Sequence, residues 1–191
     1  MKLRDKFMAR ALAFAAILVF TLTASLIASA PGGRGRRDPL TEVETDQLRE
    51  HAQEPVVRLR LYIKFAGARM IDIEEVPANA KTDPNRGQKI HDLLEDFANL
   101  IDEIDDNIDN YSEHSSDIRK PLKELIDAES DWSLRLRTLK DAIAKDPQAA
   151  KESRDYTFAL DSAIDSVNDS ADSARKTLEE QNATLKTAKK K

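Results

Sequence analysis

Along most of this chain apolar residues recur every three or four positions, and the stripes they form are separated by short stretches rich in proline, asparagine, serine and charge. The first apolar stretch follows a different rule. Ala11 to Ile27 carries no charge, comes after a basic start at Lys2, Arg4, Lys6 and Arg10, and gives way to Ala28-Ser29-Ala30. A basic start, an apolar run and a small-x-small ending are what a signal peptidase reads, so residues 1–30 are expected to direct export. Pro31 opposes cleavage directly after that triplet, because its ring fixes φ and distorts an extended substrate. The run also has about the length of an apolar helix that crosses a bilayer of ~30 Å, so an uncleaved membrane tether through residues 11–30 is the competing expectation. Arg34, Arg36 and Arg37 nearly balance the leading cations and leave only a slight preference for a cytoplasmic N-terminus. With Gly32, Gly33 and Gly35 between them, residues 31–38 read as a flexible basic tether.

Five helices are expected beyond the tether. A short one starts at Asp38-Pro39, covers Leu40 to about Gln53 and breaks at Glu54-Pro55. In the next segment Val56, Leu59, Ile63, Ala66, Met70 and Ile73 form one helical stripe, which ends near Val76-Pro77. Val57, Leu59, Leu61, Ile63 and Phe65 also alternate with Arg58, Arg60 and Lys64 as a strand would, but no second alternating run exists to pair with them. Helix is therefore the reading, and the surplus apolar positions imply more than one neighbour.

Residues 78–87 read as a loop. Ile90, Leu94, Phe97, Ile101, Ile104, Ile108 and Tyr111 then step by fours and threes, the pattern of knobs-into-holes packing. Ile118, Leu122, Leu125, Trp132, Leu136, Leu139 and Ile143 repeat it, interrupted at Glu129, and Asp146-Pro147 closes the segment. The two runs are in phase, so residues 88–145 could form one long helix bent near Pro121. The turn and cap chemistry of Ser112, Ser115, Ser116 and Asp117 favours a hairpin. The last helix is expected from about Gln148, with Tyr156, Leu160, Ala163, Val167, Ala171, Ala174 and Leu178 on one face.

The expected fold is all-α: an antiparallel helical bundle of four long helices with heptad-type packing near ~20° crossing angles, plus a short N-terminal helix. It occupies residues 39–185, and a basic tail, 186–191, follows. Arg58, Arg60, Lys64 and Arg69 on the second helix, against eight acids between Asp92 and Asp109 on the third, suggest that these two helices are neighbours.

Charge and composition narrow the function. The chain carries a net charge of -5, and residues 1–30 hold four Lys/Arg against one Asp, so the remainder stands three units lower, at -8. An acidic body is a poor partner for nucleic acid, whose binding depends on neutralising phosphates. The absence of cysteine removes disulfides, thiolate catalysis and Cys-based zinc sites.

The candidates for chemistry are few. His51, His91 and His114 lack the Glu-x-x-His spacing of di-iron bundles. Asp102, Glu103, Asp105, Asp106 and Asp109 invite a calcium reading, yet they flank a continuous apolar seam without a glycine-bearing loop, so a solvated, partly salt-bridged face is expected. Glu129 interrupts the seam beside Trp132; a buried acid with a raised pKa can transfer protons, but an ion pair that fixes register or a place at the bundle edge is the expectation. Trp132 and Phe97 are expected as core anchors. No phosphate-binding glycine loop or Gly-x-Ser-x-Gly turn occurs, and the Asn-x-Ser/Thr matches at Asn110, Asn168 and Asn182 are assigned no role.

Accordingly no catalytic, cofactor-binding or metal-ligating residue and no cofactor is assigned. The expected function is that of an exported, non-enzymatic bundle acting by protein contact in the cell envelope, with an unknown protein partner or a second copy of itself. A ligand- or metal-binding bundle, with a cavity near Glu129, Trp132 and the second helix, is the alternative.

Overall fold

Helix α1 (Glu42–Glu50) begins at a capping box instead of at Asp38-Pro39. The Thr41 hydroxyl accepts from the Glu44 amide at 3.2 Å, and the Glu44 carboxylate accepts from the Thr41 amide at 2.8 Å. Two amides that the first helical turn leaves without partners are thus satisfied reciprocally. Thr41→Ala is expected to lower stability by about 1 kcal/mol, read as a shift in the urea midpoint at unchanged slope.

These contacts come from a computed structural model, which describes residues 38–79, 84–145, 151 and 153–188. The export or tether reading of residues 1–30, the tether up to residue 37 and the last three lysines lie outside them.

Four longer helices follow: α2 (Pro55–Asn79), α3 (Arg86–Glu113), α4 (Arg119–Lys145) and α5 (Thr157–Ala188). All regular structure among the described residues is helical, so the segment that alternated like a strand is helix. Pro55 occupies the first position of α2, where its missing N–H is no loss, and the Glu54 carbonyl accepts from the Arg58 amide at 2.9 Å. The helix continues through Pro77, three residues past Val76. Leu59, Ala66, Met70 and Ile73 are buried as expected, but Tyr62 and Phe65 are buried as well, while Val56 and Ile63 are only partly covered. In α3 the stepped residues from Ile90 to Tyr111 are all buried, joined by Leu100. The expected start at Gln148 lies outside the described residues; α5 begins at Thr157 after a 3-10 turn at Ser153–Asp155, and it buries Leu160, Ala163, Val167, Ala171 and Ala174.

Cross-helix bonds fix the directions. Near the start of α2, Arg58 donates to the Tyr111 hydroxyl at 2.9 Å and Arg60 donates both to Glu124 at 2.7 Å, so the end of α3 and the start of α4 meet there. Toward its far end Glu74 accepts from Arg135 at 2.6 and 2.7 Å. Helix α2 is therefore antiparallel to α3 and parallel to α4. Ser133 bonds Asn168 at 3.0 Å and Lys140 pairs with Asp161 at 2.7 Å, so α5 runs antiparallel to α4. The packed pairs are α2 with α3, α3 with α5, α5 with α4, and α4 with α2, which makes a ring in which α3 and α4 sit on opposite corners.

A chain reversal, and not a bent helix, therefore joins α3 to α4. Ser115 takes the left-handed conformation with φ 57°, the Ser116 amide donates to the Tyr111 carbonyl at 2.9 Å, and the Ser115 amide donates to the Ser112 carbonyl at 3.0 Å. These two bonds close the end of α3. The Gln181 side chain then clamps the crossing: its amide nitrogen donates to the Ser116 carbonyl at 3.0 Å, and its oxygen accepts from the Ile118 amide at 3.2 Å. Pro121 falls in the first turn of α4, where it breaks no bond. A side chain in the left-handed region costs ~1–2 kcal/mol, so Ser115→Gly is expected to raise the thermal midpoint through a gain of about 0.5–1 kcal/mol.

Helix α2 packs beside α3, as the charge pattern suggested, and the arginine bond described between the two goes to Tyr111. The bonds found for the arginines of α2 lead to Tyr111, to the Leu48 carbonyl, to Glu124 of α4, and to Glu44 of α1. What α2 and α3 share is the Arg58 bond to Tyr111 together with apolar burial along both helices.

Candidate functional site

Glu129 sits where the heptad of α4 calls for an apolar residue, and the helix delivers it wholly into the interior, at 0% exposure. Both of its carboxylate oxygens are buried without a hydrogen-bond partner. The expectation of an ion pair or an edge position is thus corrected: the acid is neither paired nor at the surface. Ala171 of α5 lines the same groove as Glu129, so a small side chain stands beside it on the neighbouring helix.

Ser170 of α5 acts on Glu129, and it too is fully buried. Its hydroxyl donates to Asp105 of α3 at 2.7 Å. Three helices therefore meet at one polar level inside the core. Burial pushes the Glu129 carboxyl up to about 8; the Ser170 hydroxyl opposes this, Asp105 adds to it, and Arg175 works against it. Burial likewise lifts Asp105 to about 6, opposed by Ser170 and helped by Asp102, Asp109 and Asp106. At neutral pH Glu129 is mostly a neutral acid.

A groove of about 320 Å³ lies between α4 and α5 directly beside Glu129. Ser133, Asn168, Arg137 and Arg175 are among its lining residues, and Asn168 accepts from Ser133 at 3.0 Å and from Arg137 at 3.2 Å. Asn168 entered the sequence reading only as a glycosylation match; here it helps to tie α4 to α5.

The acidic run on α3 divides. Asp102, Asp106 and Asp109 are exposed, as a solvated, partly salt-bridged face requires, but Asp105 is partly covered and bonds Ser170. Trp132 and Phe97 are core anchors, packed edge to face with centroids 5.6 Å apart at 85°. The histidines are scattered: His51 bonds Glu54, and His114 bonds the Asn110 carbonyl at the end of α3.

His91 stands differently. Near the start of α3, His91, Asp92 and Glu95 offer ligand atoms within 4.8 Å of one another, a set that could hold a metal ion at a partly exposed helix face. Searching for Glu three residues before His missed it, whereas the one-turn spacing of His91 and Glu95 was the available signal. Ser170 was missed for another reason: a serine three residues after Val167 looks like an ordinary polar position until Asp105 and Glu129 are brought to it.

No family model, curated protein or solved structure matches this chain. No described helix is long and apolar enough to cross a membrane.

Proposed function

We propose that this chain is exported and works by contact in the cell envelope, as an adaptor, scaffold or self-associating unit, with its helices packed as a left-handed bundle. The basic, apolar and small-residue segments of residues 1–30 support export, either cleaved or retained as a membrane tether. The observation that carries the contact reading is Phe158, which is 86% exposed at the start of α5 although Leu160 and Ala163 just beyond it complete the core. Val43, Ile71 and Leu134 are exposed as well, but Phe158 is the most exposed of these side chains and the aromatic one, and aromatic rings favour partner surfaces.

Two measurements test this. Intact mass and N-terminal sequencing of the protein from soluble and membrane fractions of its native host distinguish cleaved from tethered, and an unprocessed chain confined to the cytosol refutes export. A photo-crosslinker at position 158 is expected to give one discrete product in the host, whose mass separates a second copy from a different protein. No product there, or turnover of a substrate by the purified chain, overturns the contact reading.

The groove beside Glu129 favours a second reading, a ligand- or metal-binding bundle. A thermal-shift screen in which no metal or small ligand moves the midpoint would sink it.

A further inference from the structure

A hydroxyl has one proton to give, and Ser170 gives its proton to Asp105. The side of Ser170 that faces Glu129 therefore offers only lone pairs. A carboxylate at Glu129 would confront those lone pairs and a second carboxylate beyond them, in a place with no donor of its own. A carboxylic acid at the same position brings the missing donor. An acid proton on Glu129 could then be given to Ser170, whose own proton goes to Asp105, and the Glu129 oxygen without the proton keeps only a neutral group's lone pairs in the core.

We propose that Glu129, Ser170 and Asp105 form a proton-operated latch that holds α4, α5 and α3 together at one level, closed when Glu129 carries its proton and released when that proton leaves. On release the carboxylate must be hydrated, and the groove between α4 and α5 is the route by which water reaches it. The opening is thus directed: it loosens the α4–α5 seam held by Ser133 and Asn168, while the seams along α2 keep their own ion pairs, Arg60 with Glu124 and Arg135 with Glu74.

The surrounding charges bear on the latch unequally. Arg175 of α5 is the cation acting on Glu129, but it is exposed and bonded to Asp172 at 2.9 Å, so it cannot replace the proton inside the core. Asp105 acts in the opposite sense, and Asp102, Asp106 and Asp109 stand around Asp105 on α3. The charged groups of α2 that meet α4, Arg60 and Glu74, pair with Glu124 and Arg135.

The sign follows from linkage. The folded-state value of Glu129 is raised above the usual 4.5 to about 8, so the native state holds a proton that the unfolded chain has released. Stability from this group is complete below pH 4.5, declines as pH rises, and is gone once pH has passed about 8.

The test compares the full chain with Glu129→Gln, which cannot ionise and keeps a donor toward Ser170, and with Ser170→Ala. Between pH 5 and 8 the unfolding constant of the wild type, divided by that of Glu129→Gln, is expected to grow by up to about tenfold per pH unit, then level off. In carboxyl ¹³C spectra the Glu129 signal should titrate far above the ordinary range, with exchange of α4 and α5 amides accelerating through the same midpoint. Ser170→Ala should displace both the Glu129 and the Asp105 titrations.

A Glu129 signal that titrates as an ordinary carboxylate overturns the latch, and this holds even if Glu129→Gln fails to fold. So does a Ser170→Ala chain in which both titrations stay where they were. A rise in the urea midpoint at pH 8.5 on adding calcium or manganese, lost in Glu129→Gln, also overturns it, because the release of the proton would then serve to admit a cation.

Discussion

Replacing Trp132 by alanine should lower the stability of the bundle by about 3–5 kcal/mol, the largest loss expected from any single core truncation here. Trp132 is 4% exposed and belongs to α4, yet its ring meets Phe97 of α3, the helix on the opposite corner of the ring. It therefore bridges a diagonal that the backbones do not. On its other side the ring edge lies 3.9 Å from where a Cβ on Gly67 would stand, so the α2 backbone closes over it. Walls made of a helix backbone and a second aromatic ring collapse poorly into a vacated volume, which places the loss in the upper part of the range. Trp132→Phe keeps most of the volume and should lose markedly less. The check is urea denaturation followed by circular dichroism, since the mutation removes the chain's only tryptophan fluorescence. A double-mutant cycle with Phe97→Leu should show a coupling of about 0.5–1.5 kcal/mol from the edge-to-face contact. A Trp132→Ala chain within 1 kcal/mol of wild type would mean that the ring is not the bridge described.

What was legible in the sequence was whatever depends on local period. The stepped residues of α3 are all buried because an amphipathic helix must turn that stripe inward, and the apolar steps say which stripe it is. Start and stop positions were less legible. The reciprocal bonds of Thr41 and Glu44 outweighed the nearby Asp38-Pro39, while Pro77, placed as a stop, is accommodated within α2. The hairpin expectation agrees with the structure, although backbone bonds at 112, 115 and 116 make the turn and the local side-chain bond to an amide is that of Asp117 with Arg119. Nothing in the spacing said that α3 and α4 would stand diagonally, because two in-phase stripes are equally compatible with neighbouring and with opposite corners. The candidate site lies at that limit. Glu129 declared itself by breaking a seam, but its setting depends on Ser170 and Asp105, two residues 65 positions apart in sequence and joined only by the ring order of the helices. Pairing across helices is a tertiary fact, and the charge pattern could not say which partner each arginine takes: those of α2 bond α1, α4 and Tyr111 of α3.

Arg69 shows how far such a tertiary bond can reach, and Arg69→Ala should cost about 3 kcal/mol while freeing α1 from the bundle. The guanidinium is nearly buried and donates to both Glu44 oxygens, at 3.0 and 2.6 Å, and to the Pro39 carbonyl at 2.8 Å. Burial alone would raise the Glu44 carboxyl, but the bonds from Arg69 and Thr41 outweigh it and hold the group below its usual value. Without the arginine an uncompensated carboxylate would be left at the interface, and the least costly escape is for α1 to swing into water with Leu48. Hydrogen exchange should then show residues 42–50 losing protection while α3 keeps its own. Arg69→Lys, a point charge without the planar fork, should fall between the two because it cannot serve both carboxylate oxygens and the carbonyl. The acid side supplies an independent check. A carboxyl held low contributes stability that is present above the unfolded value near 4.5 and is lost as pH falls through its folded value, so wild type should release α1 in acid. In Arg69→Ala that acid-side dependence should shrink, since only the Thr41 bonds remain to hold the carboxyl low. Retained protection of α1 in Arg69→Ala at neutral pH would show instead that Leu48 and the Arg58 bond to its carbonyl suffice to hold the helix.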